Sequence, residues 1–84
     1  MLGERIKKAR EAAGLSQKEI TDALGLSSPQ YISNIERGLA QLPAPYIPTV
    51  ARMIKISESV LIEDLVEIYR QKCIGAVKKA KQKK

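Results

Sequence analysis

Apolar residues recur along the chain at three- and four-residue intervals and never alternate with polar ones over a strand's length, so the pattern predicts helices throughout. A first helix from about Leu2 to Ala13 places Ile6, Ala9 and Ala13 on one face, with Gly14 as the residue that ends it. Ser16-Gln17-Lys18-Glu19 then fits a capping box, in which the serine hydroxyl and the glutamate carboxylate each satisfy a free backbone N–H at a helix start. The second helix is short, because Ile20 and Leu24 make a single apolar stripe and Gly25 stops it after about two turns. Leu26 follows as a core plug. Ser28 is a good N-cap and Pro29 suits the first helical position, so a third helix runs from Pro29 to Arg37, with Ile32 and Ile35 inward and Gly38 at its end. The loop LAQLPAP leads to a fourth helix, Tyr46 to Ile54, whose buried side is Ile47, Val50, Ala51 and Ile54. Ser57 caps a fifth that reaches Cys73 or beyond, with Gly75 as a weak point. The expectation is an all-α chain of five helices in one domain.

The third helix has an apolar side only two isoleucines wide. Relative to Ile32 and Ile35, helical geometry turns Gln30, Ser33, Asn34 and Arg37 toward solvent and leaves Tyr31 near the boundary. A face built only for solubility would carry Lys and Glu. Amides and a hydroxyl, with no acidic residue before Glu36, suit contact with nucleic-acid edges instead, since Gln and Asn pair in bidentate fashion with adenine in the major groove. Two short helices joined through Gly25-Leu26-Ser27, the second presenting such a face, constitute a helix-turn-helix signal.

The fifth helix has more apolar surface than one small bundle needs. Leu61, Leu65 and Ile68 form a stripe that docks on the core, while Ile62, Val66, Tyr69 and Cys73 form a second stripe about 100° away at 3.6 residues per turn. Either this second stripe is the interface of a homodimer, or the C-terminal segment folds back over it.

Composition narrows the chemistry. The chain has 84 residues, no His, no Trp and one Cys, which excludes an internal disulfide, a Cys/His zinc site and histidine acid–base catalysis. No enzyme activity, catalytic residue, metal, cofactor or small-molecule ligand is expected. No apolar run approaches the roughly 18 residues of a membrane span, and MLGERIKKAR lacks the apolar centre of a signal peptide, so a cytoplasmic protein without a membrane partner is expected. The net charge of +6 is unevenly placed: Lys78, Lys79, Lys81, Lys83 and Lys84 supply five of the 15 basic residues, leaving 10 basic and 9 acidic groups in residues 1–77. Residues 74–84 are expected to form a basic, flexible tail that is either simply solvated or an arm that seeks phosphates.

Arg10, Gly14-Leu15-Ser16-Gln17, Glu19, Gly25, Ile32-Ser33, Ile35-Glu36, Gly38 and the capped helix after Ser57 together resemble the lambda-repressor/Cro-like, or XRE-type, helix-turn-helix family over about residues 2–65. The resemblance implies a compact five-helix lambda-repressor-like bundle that binds double-stranded operator DNA, usually as a two-fold dimer, with the third helix in the major groove. By position it implies base reading by Pro29, Gln30, Ser33 and Asn34, and phosphate contact by Arg10, Gln17, Ser28, Tyr31, Arg37 and Gln41. Arg10 and Glu36 match a family ion pair; the alternative is two independent surface charges. Thr21 departs from the family in standing where a small Ala usually lets two helices approach, and Leu39-Ala40-Gln41-Leu42 departs from the Lys and Arg often found in that loop.

The reading is therefore a DNA-binding domain over residues 1–73, dimerising through Ile62, Val66, Tyr69 and Cys73, followed by the basic tail. Its function would be that of a small sequence-specific transcriptional regulator, a repressor or autoregulator acting on a palindromic operator. The alternative is a protein-interaction module, or an antitoxin-type partner-binding protein, with Leu39 and Leu42 as an exposed contact surface.

Overall fold

The computed structural model describes residues 2–82, and among them five α-helices and one 3-10 turn account for the regular structure. They are α1 (Leu2–Ala12), α2 (Gln17–Ala23), α3 (Gln30–Glu36), α4 (Ile47–Ile54) and α5 (Glu58–Gln82), with the 3-10 turn at Ala44–Tyr46 before α4. The capping box starts α2: Glu19 N–H donates to Ser16 Oγ at 3.1 Å and Ser16 N–H to Glu19 Oε1 at 2.9 Å. Gly25, at φ 72°, makes the left-handed step into the turn between α2 and α3, which only glycine takes without steric cost. Pro29, already in helical conformation, is the N-cap residue of α3, one position later than the serine expected there, and Ser28 Oγ accepts from Gln30 N–H at 3.1 Å just before it.

The inward residues meet in one core of Leu2 and Ile6 from α1, Ile20 from α2, Ile32 and Ile35 from α3, the α4 set Ile47, Val50, Ala51 and Ile54, and Leu61 from α5. Each buried Ile or Leu contributes about 1.5 to 3 kcal/mol over its exposed state. Thr21 is buried in the place of the expected alanine; its Oγ1 donates to the Gln17 carbonyl at 2.8 Å, so the extra hydroxyl is satisfied within α2.

One expectation is corrected here. Leu42 is buried in the core, so the exposed Leu39–Leu42 surface reduces to Leu39. Its loop is pinned by Tyr31, whose hydroxyl donates to the Gln41 carbonyl at 3.3 Å and whose ring stands edge-on to Tyr46. In the segment expected as a tail, α5 continues through Gly75 to Gln82 and carries Lys78, Lys79 and Lys81 on a helix, while Lys83 and Lys84 lie outside the described residues. A single helical glycine costs about 1 kcal/mol relative to alanine, too little to break a helix already nucleated against the bundle. Leu61, Leu65 and Ile68 dock α5 on the core, Arg5 and Asp64 pair across α1 and α5 at 2.6 Å, and every described residue from Tyr69 onward is exposed. The C-terminal half of α5 thus projects from the bundle, and the molecule extends 50 × 25 × 20 Å.

The position of α3 is set by two contacts with α1. In the first, Arg10 and Glu36 face each other below the surface: Arg10 Nε donates to Glu36 Oε2 at 2.7 Å and its Nη2 to Glu36 Oε1 at 3.1 Å, while Nη1 donates to the Leu15 carbonyl at 2.8 Å. The hydrogen bond to Glu36, followed by its charge, raises the Arg10 pKa against the opposing effect of burial. In the second, Gly3 sits directly on the end of α3. A Cβ at Gly3 would fall 2.5 Å from the Glu36 carbonyl oxygen and 2.6 Å from that of Ile35, both backbone atoms that cannot swing aside.

Gly3→Ala is therefore expected to force α1 and α3 apart and to destabilise the domain by about 1 to 3 kcal/mol. That corresponds to a loss of roughly 4 to 8 °C in melting temperature per kcal/mol for a chain of this size. An unchanged melting curve would show that α1 does not approach α3 this closely. Glu36→Leu, which strands a buried guanidinium, is expected to cost about 3 to 5 kcal/mol, and Arg10→Met added to Glu36→Leu to recover much of that loss. Denaturant titrations of Arg10→Met, Glu36→Leu and the double variant complete a cycle; additivity within about 0.3 to 0.5 kcal/mol would mean that the residues do not interact.

Candidate nucleic-acid interface

The outer face of α3 is built on the Glu36 anchor. Glu36 Oε1 accepts from Gln17 Nε2 at 3.0 Å as well as from Arg10, so one carboxylate ties the start of α2, the end of α1 and the last turn of α3. Gln17 is half-buried. Arg10, expected both in the ion pair and at a phosphate, is 8% exposed, and one N–H on each of its three nitrogens is taken by Glu36 or the Leu15 carbonyl.

On the far side of α3, Gln30 is exposed and Ser33 and Asn34 are half-buried. Asn34 Oδ1 accepts from Gln30 Nε2 at 2.9 Å and from Arg37 Nη2 at 3.0 Å, so three of the expected surface residues form one continuous hydrogen-bonded row along the helix. This bonding uses the Asn34 carbonyl and one Gln30 donor, and it leaves the Gln30 carbonyl to accept and the Asn34 NH2 to donate outward. Ser28 and Pro29 lie exposed at the start of the row; Gln41 is exposed beside Tyr31 at the loop after α3.

Sequence reasoning missed Lys7 and Lys8. Both are exposed on α1 and line the same depression as Gln17, Ser33 and Arg37, together with the exposed acids Glu4 and Glu11. Their signal in the sequence was only that of a solvated helix side. Ile62, Val66, Tyr69 and Cys73 are all exposed along α5, separate from the α3 row. Among the described residues no group of His, Cys, Asp and Glu could hold a metal ion, and no helix is long and apolar enough to cross a membrane.

Comparison with known proteins bears on this arrangement. The HTH_3 family model, described as Helix-turn-helix, matches residues 6–61. Two uncharacterized HTH-type transcriptional regulators of Mycobacterium tuberculosis, MT0491 of strain CDC 1551 and Rv0474 of strain H37Rv, are each 34% identical over 59 residues, 70% of this chain. The chain spans about two fifths of the length of these curated relatives, 41%. Among solved structures, the master regulator for biofilm formation SinR in complex with DNA superposes with a TM-score of 0.62 at 32% identity, covering 74% of this chain and 98% of that one. The SinR/SinI complex gives a TM-score of 0.63 at 28% identity, covering 95% of this chain and 78% of that one. The family match begins in α1, takes in α2, α3 and α4 whole and ends at Leu61 of α5, and on that extent the chain belongs to the XRE-type helix-turn-helix family.

Proposed function

We propose that this protein is a sequence-specific DNA-binding transcriptional regulator that inserts α3 into the major groove. The observation that carries the reading is the hydrogen-bonded row Gln30–Asn34–Arg37 on the exposed side of α3. The Gln30 carbonyl and the Asn34 NH2 together offer one acceptor and one donor, the complement of the N6 donor and N7 acceptor on an adenine edge. Ser33 stands beside them, and Pro29 at the start of the helix offers apolar contact. In this reading Gln17, Ser28, Tyr31, Arg37 and Gln41 contact phosphates on either side of the groove. Support also comes from the likeness to SinR, which was solved bound to DNA.

The operator in this reading is palindromic and bound by two copies, with half-sites about 34 Å apart or a multiple of that, so that the protein's two-fold axis matches that of the duplex. Family membership sets the chain outside the enzyme classes.

Gln30→Ala or Asn34→Ala is expected to weaken binding to the cognate operator by about 1 to 3 kcal/mol and to relax discrimination at one base pair per half-site. Affinity for random duplex should change little. Because the two amides are bonded to each other, the double variant is expected to lose less than the sum of the singles. Gel shifts with the DNA upstream of the protein's own gene, against random duplex, provide the measurement. Equal losses on both duplexes would make these residues positioning contacts and not readers of sequence.

A further inference from the structure

The exposed stripe on α5 is longer and more ordered than the four residues first read from it. Ile62, Val66, Tyr69, Cys73, Ala76 and Ala80 are spaced four, three, four, three and four residues apart, and all six are exposed. That alternation keeps one seam in line along a helix that packs lengthwise against another helix. The bundle takes the neighbouring stripe of Leu61, Leu65 and Ile68 and leaves this one uncovered.

Two gradients run along the seam. Size falls from Ile, Val and Tyr in the first half to Cys and two Ala in the second. Charge reverses: residues 58–67 hold Glu58, Glu63, Asp64 and Glu67 with no basic residue, whereas residues 68–82 hold Arg70, Lys72, Lys78, Lys79 and Lys81 with no acidic one. A parallel partner of the same sequence would set acid beside acid, base beside base, and Tyr69 against Tyr69. An antiparallel one sets the acidic first half of each helix beside the basic second half of the other.

We propose that α5 pairs antiparallel with α5 of a second copy of this chain, about a two-fold axis at Gln71. The proposal rests on the two-copy reading above and adds the face, direction and register of the contact. With the axis at Gln71, Ile62 lies level with Ala80 of the second copy, Val66 with its Ala76 and Tyr69 with its Cys73, so each large side chain meets a small one. These are layers of first-seam against fourth-seam positions, the arrangement an antiparallel helix pair requires. Glu63 comes level with Lys79 of the second copy. Near the axis Arg70 lies level with Lys72 of the second copy, and each Arg70 already has Glu67 of its own helix, 3.4 Å away, to offset its charge. The segment of α5 that projects from one bundle is thereby covered by the docked half of the other, which accounts for a helix that stays regular to Gln82 with no support from its own core.

Full-length protein with Cys73→Ser removes the native thiol, and Ile62→Cys or Ala80→Cys is then introduced separately; both sites are exposed, so neither change disturbs the core. The two variants are oxidised alone and after mixing. An antiparallel pair predicts a disulfide-linked dimer in the mixture, containing one chain of each, and little in either sample alone. Sedimentation without DNA should show wild type as a dimer at tens of micromolar and Val66→Asp as a folded monomer with an unchanged circular dichroism spectrum. Self-linking of the Ile62→Cys variant would establish a parallel pair and overturn the arrangement while leaving the two-copy reading in place. A wild-type monomer, with or without duplex, would overturn both. Operator binding in gel shifts is read separately, so loss of the dimer and loss of DNA recognition are told apart.

Discussion

The buried contact between Arg10 and Glu36 fixes the attitude of the helix that carries the candidate interface. Isolated, a seven-residue helix such as α3 has no stability in water, and its two inward isoleucines alone would let it roll on the core. The guanidinium grips the Glu36 carboxylate with two hydrogen bonds, and Gly3 admits the Glu36 carbonyl from the same helix, α1. One residue is thus held by its side chain and its backbone at once. Buried ion pairs contribute little net stability compared with well-packed apolar residues. What this one contributes is direction: the bidentate geometry allows one rotation of α3 about its axis, and that rotation turns Gln30, Ser33 and Asn34 outward.

The same carboxylate extends the constraint to α2 through Gln17, so the angle between the two helices of the motif and the presentation of α3 are linked. The Tyr31 and Tyr46 contact holds the following loop, and Leu42 anchors it in the core. The Gln30–Asn34–Arg37 row is therefore held in place on a small scaffold. The long α5 contributes to that scaffold only through its first half.

Helix number, the capping box and the serine at the start of α3 were legible because each rests on local chemistry within four residues. The polar face of α3 was legible for the same reason, since two isoleucines fix which side is inward. Long-range requirements were not. Gly3 reads in sequence as a weak helix residue, and its purpose lies in a backbone more than thirty positions away. Leu42 sits in a loop between Gln41 and Pro43, where no periodicity marks inside from outside. Lys7 and Lys8 carry no local sign that the fold brings them beside Ser33 and Arg37. Gly75 and the lysines after it carry no local sign of continued helix, yet the helix nucleated upstream runs through Gly75 to Gln82. Arg10 illustrates an intermediate case: the resemblance supplied its partner Glu36, and the geometry shows that the pair is buried.

The central claim, that the outer face of α3 is where DNA binds, is tested most directly by titrating isotope-labelled protein with operator duplex and following its amide resonances. The account predicts that the largest shifts fall on Ser28 to Arg37, on Gln17 and on the side-chain amides of Gln30 and Asn34, with α4 almost silent. Shifts confined to α5, or an unperturbed α3 at saturating duplex, would contradict it.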